Sequence, residues 1–377
     1  MKRRAALVFG LLVLVLGSAE TSRVEAQEGT DTSVDRLTLR PGEGLRFRSE
    51  DGRYGVGVSA MLQLWGTAAE STDEVIFGAQ VRRVRLGFTG HVFGEDNRLT
   101  LSVGTPGDER LDGIPDPERD FGVVDAFIGF HQLRDFEVRV GRQLVPLLRS
   151  WITPATALAA PERSRGARRW HRGRRLGISF GSDDFLGVGR IRYRAGAFLG
   201  DLGSGPLPLG LVARADVSIL GNVNLNVDGD LSRSPTPRLS LGGGYMFLLN
   251  EVPQGDALDQ QDATADLIFR VYGLSLEGTF LWTKTSAANG QEARSDIGGV
   301  ATASYLLPWV NLEASVRYSG TTTGFGDMEV LEHEWTGALS YYFAGDHNFK
   351  LQASVTHDHV GDSDGFFSGI LSLQANL

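Results

Sequence analysis

The final seven residues of the chain, 371–377, alternate apolar and polar side chains and stop on an apolar residue. The closing strand of a transmembrane β-barrel has this pattern, because one register faces lipid and the other faces a polar interior. We therefore expect an outer register of Leu371, Leu373, Ala375 and Leu377 and an inner register of Ser372, Gln374 and Asn376. One strand is weak evidence, since any half-buried strand alternates, but the pattern recurs from residue 56 onward.

Sixteen alternating runs follow one another along the chain. They lie at 56–66, 81–92, 98–104, 122–131, 136–144, 175–181, 188–199, 211–219, 238–249, 262–271, 273–284, 295–306, 309–320, 333–343, 347–357 and 368–377. This pattern predicts an all-β fold, a transmembrane antiparallel β-barrel of about 16 strands. The strand spacing also allows a soluble secreted β-sandwich or propeller.

The links between these runs alternate in length, as the short periplasmic turns and longer outer loops of such barrels do. Short links lie at 94–97, 132–135, 182–187, 272–273, 307–308 and 345–346, and longer ones at 67–80, 105–121, 145–174, 200–210, 250–261, 285–294, 321–332 and 358–367. The alternation breaks only at 220–237, where residues 223–231 would make a seventeenth strand. We interpret 220–237 as a long periplasmic connection, which leaves both chain termini in the periplasm.

The amino terminus resembles a secretory signal peptide. A basic start, Met1 to Arg4, precedes an apolar run from Ala5 to Leu16, and small residues precede a cleavage site predicted after Ala26, with Ala19 as the alternative. No later stretch is long and apolar enough to be a membrane helix. We therefore expect a signal peptide at 1–26, an N-terminal periplasmic segment at 27–55 and an outer-membrane β-barrel at 56–377.

Aromatic residues lie near the ends of several predicted strands, where membrane interfaces would place them. They are Trp65, Trp282, Trp309, Trp335, Tyr341, Tyr342 and Phe343. Their other interpretation is as ordinary apolar anchors of a soluble sheet.

Composition excludes several functions. The chain has no Cys, which rules out disulfides, thiol catalysis and zinc–thiolate sites, and its net charge of −9 argues against nucleic-acid binding. His333 and the pair His357 and His359 are spaced like the margin of a polar loop as much as like a metal site. No catalytic set and no cofactor motif is apparent, so we expect a protein that is not an enzyme.

Residues 134–194 concentrate positive charge. They contain fourteen arginines against five acids, in a chain with a net charge of −9 and only three lysines. The link 145–174, between the fifth and sixth strands, is the longest outer one, and a loop of such length usually has a function. We predict that it folds inward and narrows the pore.

Two short ladders of arginine are predicted on the inner wall. Arg190, Arg192 and Arg194 share one register, and Arg83 and Arg85 share another. Rings of Arg suit an anion or phosphate pore, because guanidinium is always charged and binds oxyanions with two parallel hydrogen bonds. The full set of candidate anion-binding residues is Arg83, Arg85, Arg139, Arg163, Arg165, Arg168, Arg169, Arg190, Arg192 and Arg194.

Two other roles are open for these arginines. Those of the loop could contact lipopolysaccharide phosphates outside the barrel. They could also pair with wall carboxylates such as Asp125 and Glu137.

Several segments together resemble the phosphate-selective porins of the O and P type. They are 44–52 (GLRFRSEDG), 82–90 (RRVRLGFTG), 124–129 (VDAFIG), 138–146 (VRVGRQLVP) followed by 161–163 (PER), and 270–278 (RVYGLSLEG). The resemblance covers residues 42–377. It implies a sixteen-stranded barrel, commonly trimeric, that passes small anions through Arg-lined constrictions. This chain departs from the family in having almost no lysine, so Arg would have to replace the family's anion-attracting Lys.

The resulting expectation is an outer-membrane porin for passive diffusion of small solutes that prefers anions such as phosphate. It would contact outer-membrane lipid and lipopolysaccharide and form a homotrimer. The alternatives are a non-selective or cation-leaning porin and, from another class, a non-conducting adhesin or membrane anchor.

Acidic residues in the predicted outer loops argue against strong anion attraction, because an acidic mouth repels anions. They are Glu70, Asp73, Glu74, Asp108, Glu109, Asp112, Asp116, Glu118, Asp120, Asp327, Glu329, Glu332, Asp358, Asp362 and Asp364.

Overall fold

A computed structural model describes residues 37–40, 44–71, 74–105, 121–200, 208–251, 258–287, 294–325, 328–361 and 365–377. The strands are β1 (Leu37–Arg40), β2 (Gly44–Arg48), β3 (Gly55–Glu70), β4 (Val75–His91), β5 (Asn97–Gly104), β6 (Gly122–Leu133), β7 (Phe136–Leu144), β8 (Arg174–Ser182), β9 (Ile191–Leu199), β10 (Leu209–Leu220), β11 (Arg238–Glu251), β12 (Leu258–Val271), β13 (Leu274–Ala287), β14 (Arg294–Leu306), β15 (Leu312–Phe325), β16 (Met328–Tyr342), β17 (Phe349–Val360) and β18 (Phe366–Asn376). The predicted signal peptide, 1–26, lies outside the described residues.

The sixteen strands β3–β18 form a closed antiparallel barrel, which confirms the predicted fold. Each strand pairs with the next in sequence, and β18 pairs with β3 to close the sheet. Closure leaves no strand of the barrel with an unpaired edge, as a sheet surrounded by lipid requires. No helix among the described residues is long and apolar enough to cross a bilayer.

Side chains alternate across the barrel wall as the sequence predicts. In β18, Leu373 is 38% exposed on the outer surface, whereas Ser372 and Gln374 are buried inside. The same division holds in β5, where Leu99 and Leu101 are exposed outward and Ser102 is buried. The outer surface is therefore apolar and the interior is polar.

The two ends of the barrel differ, and we name them by what they carry. The loop end carries residues 145–173, and the terminus end carries the start of β3 and the carboxyl terminus. Several strands extend further toward the loop end than predicted, so the predicted links 67–80 and 321–332 are mostly strand and 358–367 is strand at both of its ends. Residues 221–237 contain no strand, which confirms their interpretation as a connection at the terminus end.

A small hairpin precedes the barrel. Strand β1 pairs with β2, and β2 pairs with the first four residues of β3, from Arg48 opposite Gly55 to Leu45 opposite Val58. Strand β18 pairs with β3 only from Met61 onward. The hairpin thus continues the wall beyond the carboxyl terminus of the chain, within the segment predicted to be separate from the barrel.

Aromatic side chains form a belt at each end of the outer surface. At the loop end, Trp335 is exposed beside Tyr318, and at the terminus end Phe343 stacks on Phe349 with ring centroids 4.3 Å apart. The predicted interfacial position is wrong for Trp65 and Tyr342, which lie in the inner register and are buried.

A lipid-facing charge tests this arrangement. Replacing the outward Leu101 by Arg should cost about 2–4 kcal/mol of stability if the residue lies near the middle of the bilayer. Urea unfolding of the protein in lipid vesicles measures the loss. The control is Thr100→Arg, which places the same charge inside the barrel. An equal cost for both variants would contradict the assignment of the two faces.

Candidate functional site

Residues 145–173, which we call the inner loop, fold into the barrel between β7 and β8. The loop contains two short helices, α1 (Arg149–Ile152) and α2 (Arg165–Trp170), and a 3₁₀ turn at Ala155–Ala157. Its ends meet where the Val145 amide donates to the carbonyl oxygen of Gly173 at 3.1 Å. The predicted inward fold is thus confirmed, and the loop narrows the lumen.

The first residues of the inner loop are anchored by apolar packing. Val145 and Leu147 are buried against Phe198 of β9 and Met246 of β11. The Leu147 carbonyl oxygen accepts a hydrogen bond from Arg214 of β10 at 3.0 Å and, from β12, the Thr264 hydroxyl at 3.1 Å. These contacts turn the chain away from β7 and across the lumen.

The middle of the inner loop is held through its backbone. Lys350 of β17 donates to the Leu158 carbonyl oxygen at 2.7 Å, and Ser340 of β16 donates to that of Ala159 at 2.7 Å. Gln374 of β18 donates to the Thr156 carbonyl oxygen at 3.0 Å. Because a buried carbonyl without a partner is costly, these polar side chains fix the loop on the opposite wall.

Helix α2 lies on β13–β15 through small and apolar residues. Trp170 is buried with Leu281 of β13. A Cβ added at Gly298 of β14 would lie 3.1 Å from the Trp170 ring, so glycine makes room for the indole. The Gly166 amide donates to the Ser319 hydroxyl of β15 at 3.1 Å.

The arginines of α2 point to acidic residues of the wall. Arg165 pairs with Asp358 at 3.0 Å, Arg168 with Glu334 at 3.7 Å and Arg169 with Asp296 at 3.5 Å. These arginines therefore lie inside the barrel, not outside it against lipopolysaccharide. Pairing with the wall, one of the roles left open by the sequence, is what the structure shows for them.

The next arginine continues this pattern. Arg172 forms two hydrogen bonds to the Asp262 carboxylate of β12, at 2.5 and 2.6 Å. A planar guanidinium and a carboxylate match in this geometry, which makes the pair strong and directional.

Charge is partitioned between two sectors of the wall. Strands β4–β9 contain ten arginines and two acids, whereas β12–β17 contain ten acids and five basic residues. The inner loop, with six arginines and one glutamate, lies against the acidic sector. The positive charge of the inner loop therefore lies against the acidic sector, and β4–β9 is the more basic side of the barrel.

A β-bulge in β4 turns two consecutive arginines inward. Gln63 pairs with Arg83 and Leu64 with Val81, so Arg82 is the extra residue. Glu162 of the inner loop accepts from Arg82 at 2.7 Å and lies 3.4 Å from a nitrogen of Arg83. Arg83 is 1% exposed, and Arg85, in its register, is partly buried.

The ladder predicted on β9 is present in part. Arg194 donates to Glu137 at 2.8 Å, and the same carboxylate pairs with Arg139 at 2.7 Å. Arg192 lies 3.6 Å from Asp216 of β10. One nitrogen each of Arg192 and Arg194 is buried with no hydrogen-bond partner among the described residues. Both side chains therefore keep unused donor capacity.

Two predicted site residues are placed differently. Arg163 is buried within the inner loop, donating to the carbonyl oxygens of Ser150 at 2.9 Å and Thr153 at 2.6 Å, so it braces the loop rather than lining the pore. Arg190 precedes β9 and is exposed, because the left-handed backbone at Leu186 and Gly187 (φ 61° and 64°) delays the strand to Ile191.

Arg149 is a central residue that the sequence did not single out. It is 3% exposed, bonds the Glu277 carboxylate of β13 and lies 3.4 Å from Asp228 of the 221–237 connection. Burial opposes its ionisation, but Glu277 and Asp228 hold the pKa of Arg149 above its usual range. Burial, followed by the charge of Glu277, raises the pKa of Asp228.

The acidic partners were also missed. Glu332 and Asp358 were expected in an acidic mouth but lie in β16 and β17, facing the inner loop arginines. The sequence did contain a signal for these partners, because the inner register of β12–β17 is rich in carboxylates. Without a cationic segment inside the barrel, these carboxylates would be unpaired. The other residues predicted for the mouth lie partly outside the described part of the chain.

The histidines considered as a metal site face away from the lumen. His333 lies opposite His359 across β16 and β17, with ring centroids 6.4 Å apart, and its Nδ1 is 2.5 Å from the Tyr318 hydroxyl. Within the residues the structure describes, no group of three or more His, Asp or Glu side chains is placed to hold a metal ion.

Removal of Arg149 tests how the inner loop is held. Arg149→Ala leaves Glu277 and Asp228 buried beside each other without their shared cation, which should cost about 3–5 kcal/mol. The free energy of unfolding in urea measures this loss. Arg134→Ala, in an exposed turn where the side chain is 67% accessible, is the control and should change little. Equal stability of the two variants would show that Arg149 does not hold the loop.

Comparison with known proteins supports the fold. No protein-family model matches this chain, and no curated protein matches it. Solved structures do match. The anion-selective porin from Comamonas acidovorans has a TM-score of 0.62 and 14% identity, covering 86% of this chain and 100% of that one.

Two further structures are similar. OmpT of Vibrio cholerae, an outer-membrane protein, has a TM-score of 0.62 at 8% identity, covering 88% of this chain and 99% of that one. The outer-membrane channel DcaP of Acinetobacter baumannii has a TM-score of 0.55 at 12% identity, covering 89% and 100%. At these identities the likeness concerns the fold alone. The chain is a closed β-barrel of the outer-membrane porin type.

Proposed function

We propose that this protein is an outer-membrane porin that lets small solutes diffuse passively through its lumen and prefers anions, including phosphate. The loop end faces the cell exterior and the lipopolysaccharide, and the terminus end faces the periplasm. Export would use the predicted signal peptide. The apolar outer surface with its two aromatic belts supports a position in the membrane.

The partition of charge carries the proposal. Among the residues described, most hydrogen bonds and ion pairs between residues 149–172 and the wall go to β4 and to β12–β18. Next to where the loop rejoins β8, Arg175 also donates to the Arg172 carbonyl oxygen. Solute would therefore pass beside β5–β9, which together with β4 form the sector with ten arginines and two acids. A wall of this sign concentrates anions and repels cations.

The chemistry of this sector suits oxyanions. Arg192 and Arg194 lie in the inner register of β9, and guanidinium groups there can donate to phosphate oxygens. Glu137 and Asp216 pair with the same arginines and weaken their hold on an anion. Passage requires binding that is weak enough for release, and partial neutralisation provides it.

Relatives in fold and in sequence pattern support the choice of solute. One structural neighbour is described as an anion-selective porin. The motifs shared with phosphate-selective porins include Arg82 and Arg83, which the structure places inside the barrel at the inner loop. The scarcity of lysine makes Arg the source of the positive field.

We further propose a homotrimer. A structural neighbour, OmpT of Vibrio cholerae, is described in a trimer form, with a TM-score of 0.61 and 9% identity. Chemical cross-linking of the detergent-solubilised protein should give a limiting species of three chains.

Ion selectivity is the first test. Purified protein in a planar lipid bilayer with a potassium chloride gradient should show a zero-current potential of the sign that marks chloride as the more permeant ion. A potential of the opposite sign would favour the cation-leaning porin, and correctly folded protein without single-channel steps would favour an adhesin or membrane anchor.

Removing two arginines of β9 tests whether this strand contributes to ion selectivity. Replacing Arg192 and Arg194 together by Ala should move the zero-current potential toward zero, because the basic sector loses two charges. Arg190→Ala is the matched control, since this exposed arginine lies outside β9 and should leave the potential nearly unchanged. The same potential in the double variant as in the parent protein would remove β9 from the anion path.

A further inference from the structure

We propose that the 221–237 connection is a second constriction element, whose tip at residues 224–228 positions both the inner loop and Arg192. The proposal rests on the channel function above. The terminus end of the barrel would then help to set both the width and the ion selectivity of the pore.

The connection is built as a folded element rather than a turn. It has seventeen residues, whereas the other links at this end have two to eight. Val223 and Leu225 are buried against Ile268 of β12. At its base, the Asp230 carboxylate accepts from the Ser234 amide at 2.8 Å and from the Gly273 amide at 2.9 Å.

The tip of the connection contacts the inner loop from the terminus end. The Asp228 amide donates to the Ala157 carbonyl oxygen at 2.9 Å, and the Thr153 hydroxyl donates to the Leu225 carbonyl oxygen at 3.4 Å. The Asp228 carboxylate lies 3.4 Å from Arg149. These contacts place the tip directly beneath the loop and prevent the loop from descending.

The wall holds the tip in this position. Arg270 of β12 donates to the carbonyl oxygens of Asn224 at 2.8 Å and Val227 at 2.6 Å, and to Glu277 at 3.1 Å. Glu277 also bonds Arg149. One buried charge cluster thus joins the loop, the tip and two strands, so movement of the tip would disturb the loop through the same charges.

The tip also orients one arginine of the basic sector. The Asn226 side-chain oxygen accepts a hydrogen bond from Arg192 at 2.9 Å. This contact fixes the Arg192 guanidinium beside the anion path. Asn226 is therefore a positioning residue for selectivity, and Asp228 is a positioning residue for the loop.

The test replaces residues 224–228 by five Gly and Ser residues and uses two measurements. Because the chain has no native cysteine, Ala157→Cys introduces a single thiol at the point where the loop meets the tip. In the tip variant, a maleimide should label this thiol roughly tenfold faster or more, since loss of the buried Leu225 side chain and of the Asp228 carboxylate loosens the segment that covers it. The single-channel conductance should also rise.

Matched controls separate this effect from general loosening. Replacing the exposed turn 93–96 by Gly and Ser should change neither the labelling rate nor the conductance. Asn226→Ala should move the zero-current potential toward zero while labelling of the introduced thiol stays slow. A potential unchanged by Asn226→Ala would remove the tip from selectivity.

The labelling and conductance measurements test the second constriction independently of whether the channel prefers anions. An unchanged labelling rate and an unchanged conductance in the tip variant would overturn the proposal. If the parent protein lacks anion preference but the tip variant labels faster and conducts more, the proposed selectivity fails and the second constriction stands. If the protein does not conduct at all, the labelling rate alone decides whether the tip positions the loop.

Discussion

The structure depends on the match of charge between the inner loop and the wall it crosses to. Charged side chains inside a barrel need partners, because burial without them is costly. The loop supplies six arginines, and strands β12–β17 present ten acids against five basic residues. The same match that keeps the loop in the lumen removes the acidic sector from the electrostatics of the path. The position of the loop and the proposed anion preference of the channel would therefore have one cause.

This match also explains why the remaining lumen is basic. The chain as a whole is acidic, with a net charge of −9, so the proposed selectivity for anions cannot follow from net charge. The proposed selectivity follows from geometry instead, because closure of the sheet places β4–β9 on one side and β12–β17 on the other, and the arginines of the loop pair mainly with the second side. The 221–237 connection strengthens this asymmetry, since it approaches the loop beneath the same side.

The sequence predicted what alternation and link length determine. The strand count, the polar interior, the inward loop and the connection at 220–237 follow from a period of two residues and from the order of short and long links. The inward side of Arg83 follows in the same way. These features are local, so neighbouring residues are enough to find them.

What the sequence did not predict depends on contacts across the lumen. Alternation shows that Asp358 faces inward, but not that Arg165 lies beside it. A bulge shifts the register by one residue, which placed Arg82 inside the barrel. Backbone geometry before β9 moved Arg190 out of the ladder, and a folded loop surrounded Arg163 with its own carbonyl groups.

The most direct test of the account is the location of ions inside the lumen. Crystals grown in bromide would show by anomalous scattering where anions accumulate. Bromide should lie along β4–β9 near Arg192 and Arg194, and be absent from the wall β12–β17 behind the inner loop. Bromide on the β12–β17 side, or rubidium in place of bromide along β4–β9 in crystals soaked with that cation, would contradict the partition of charge on which the account rests.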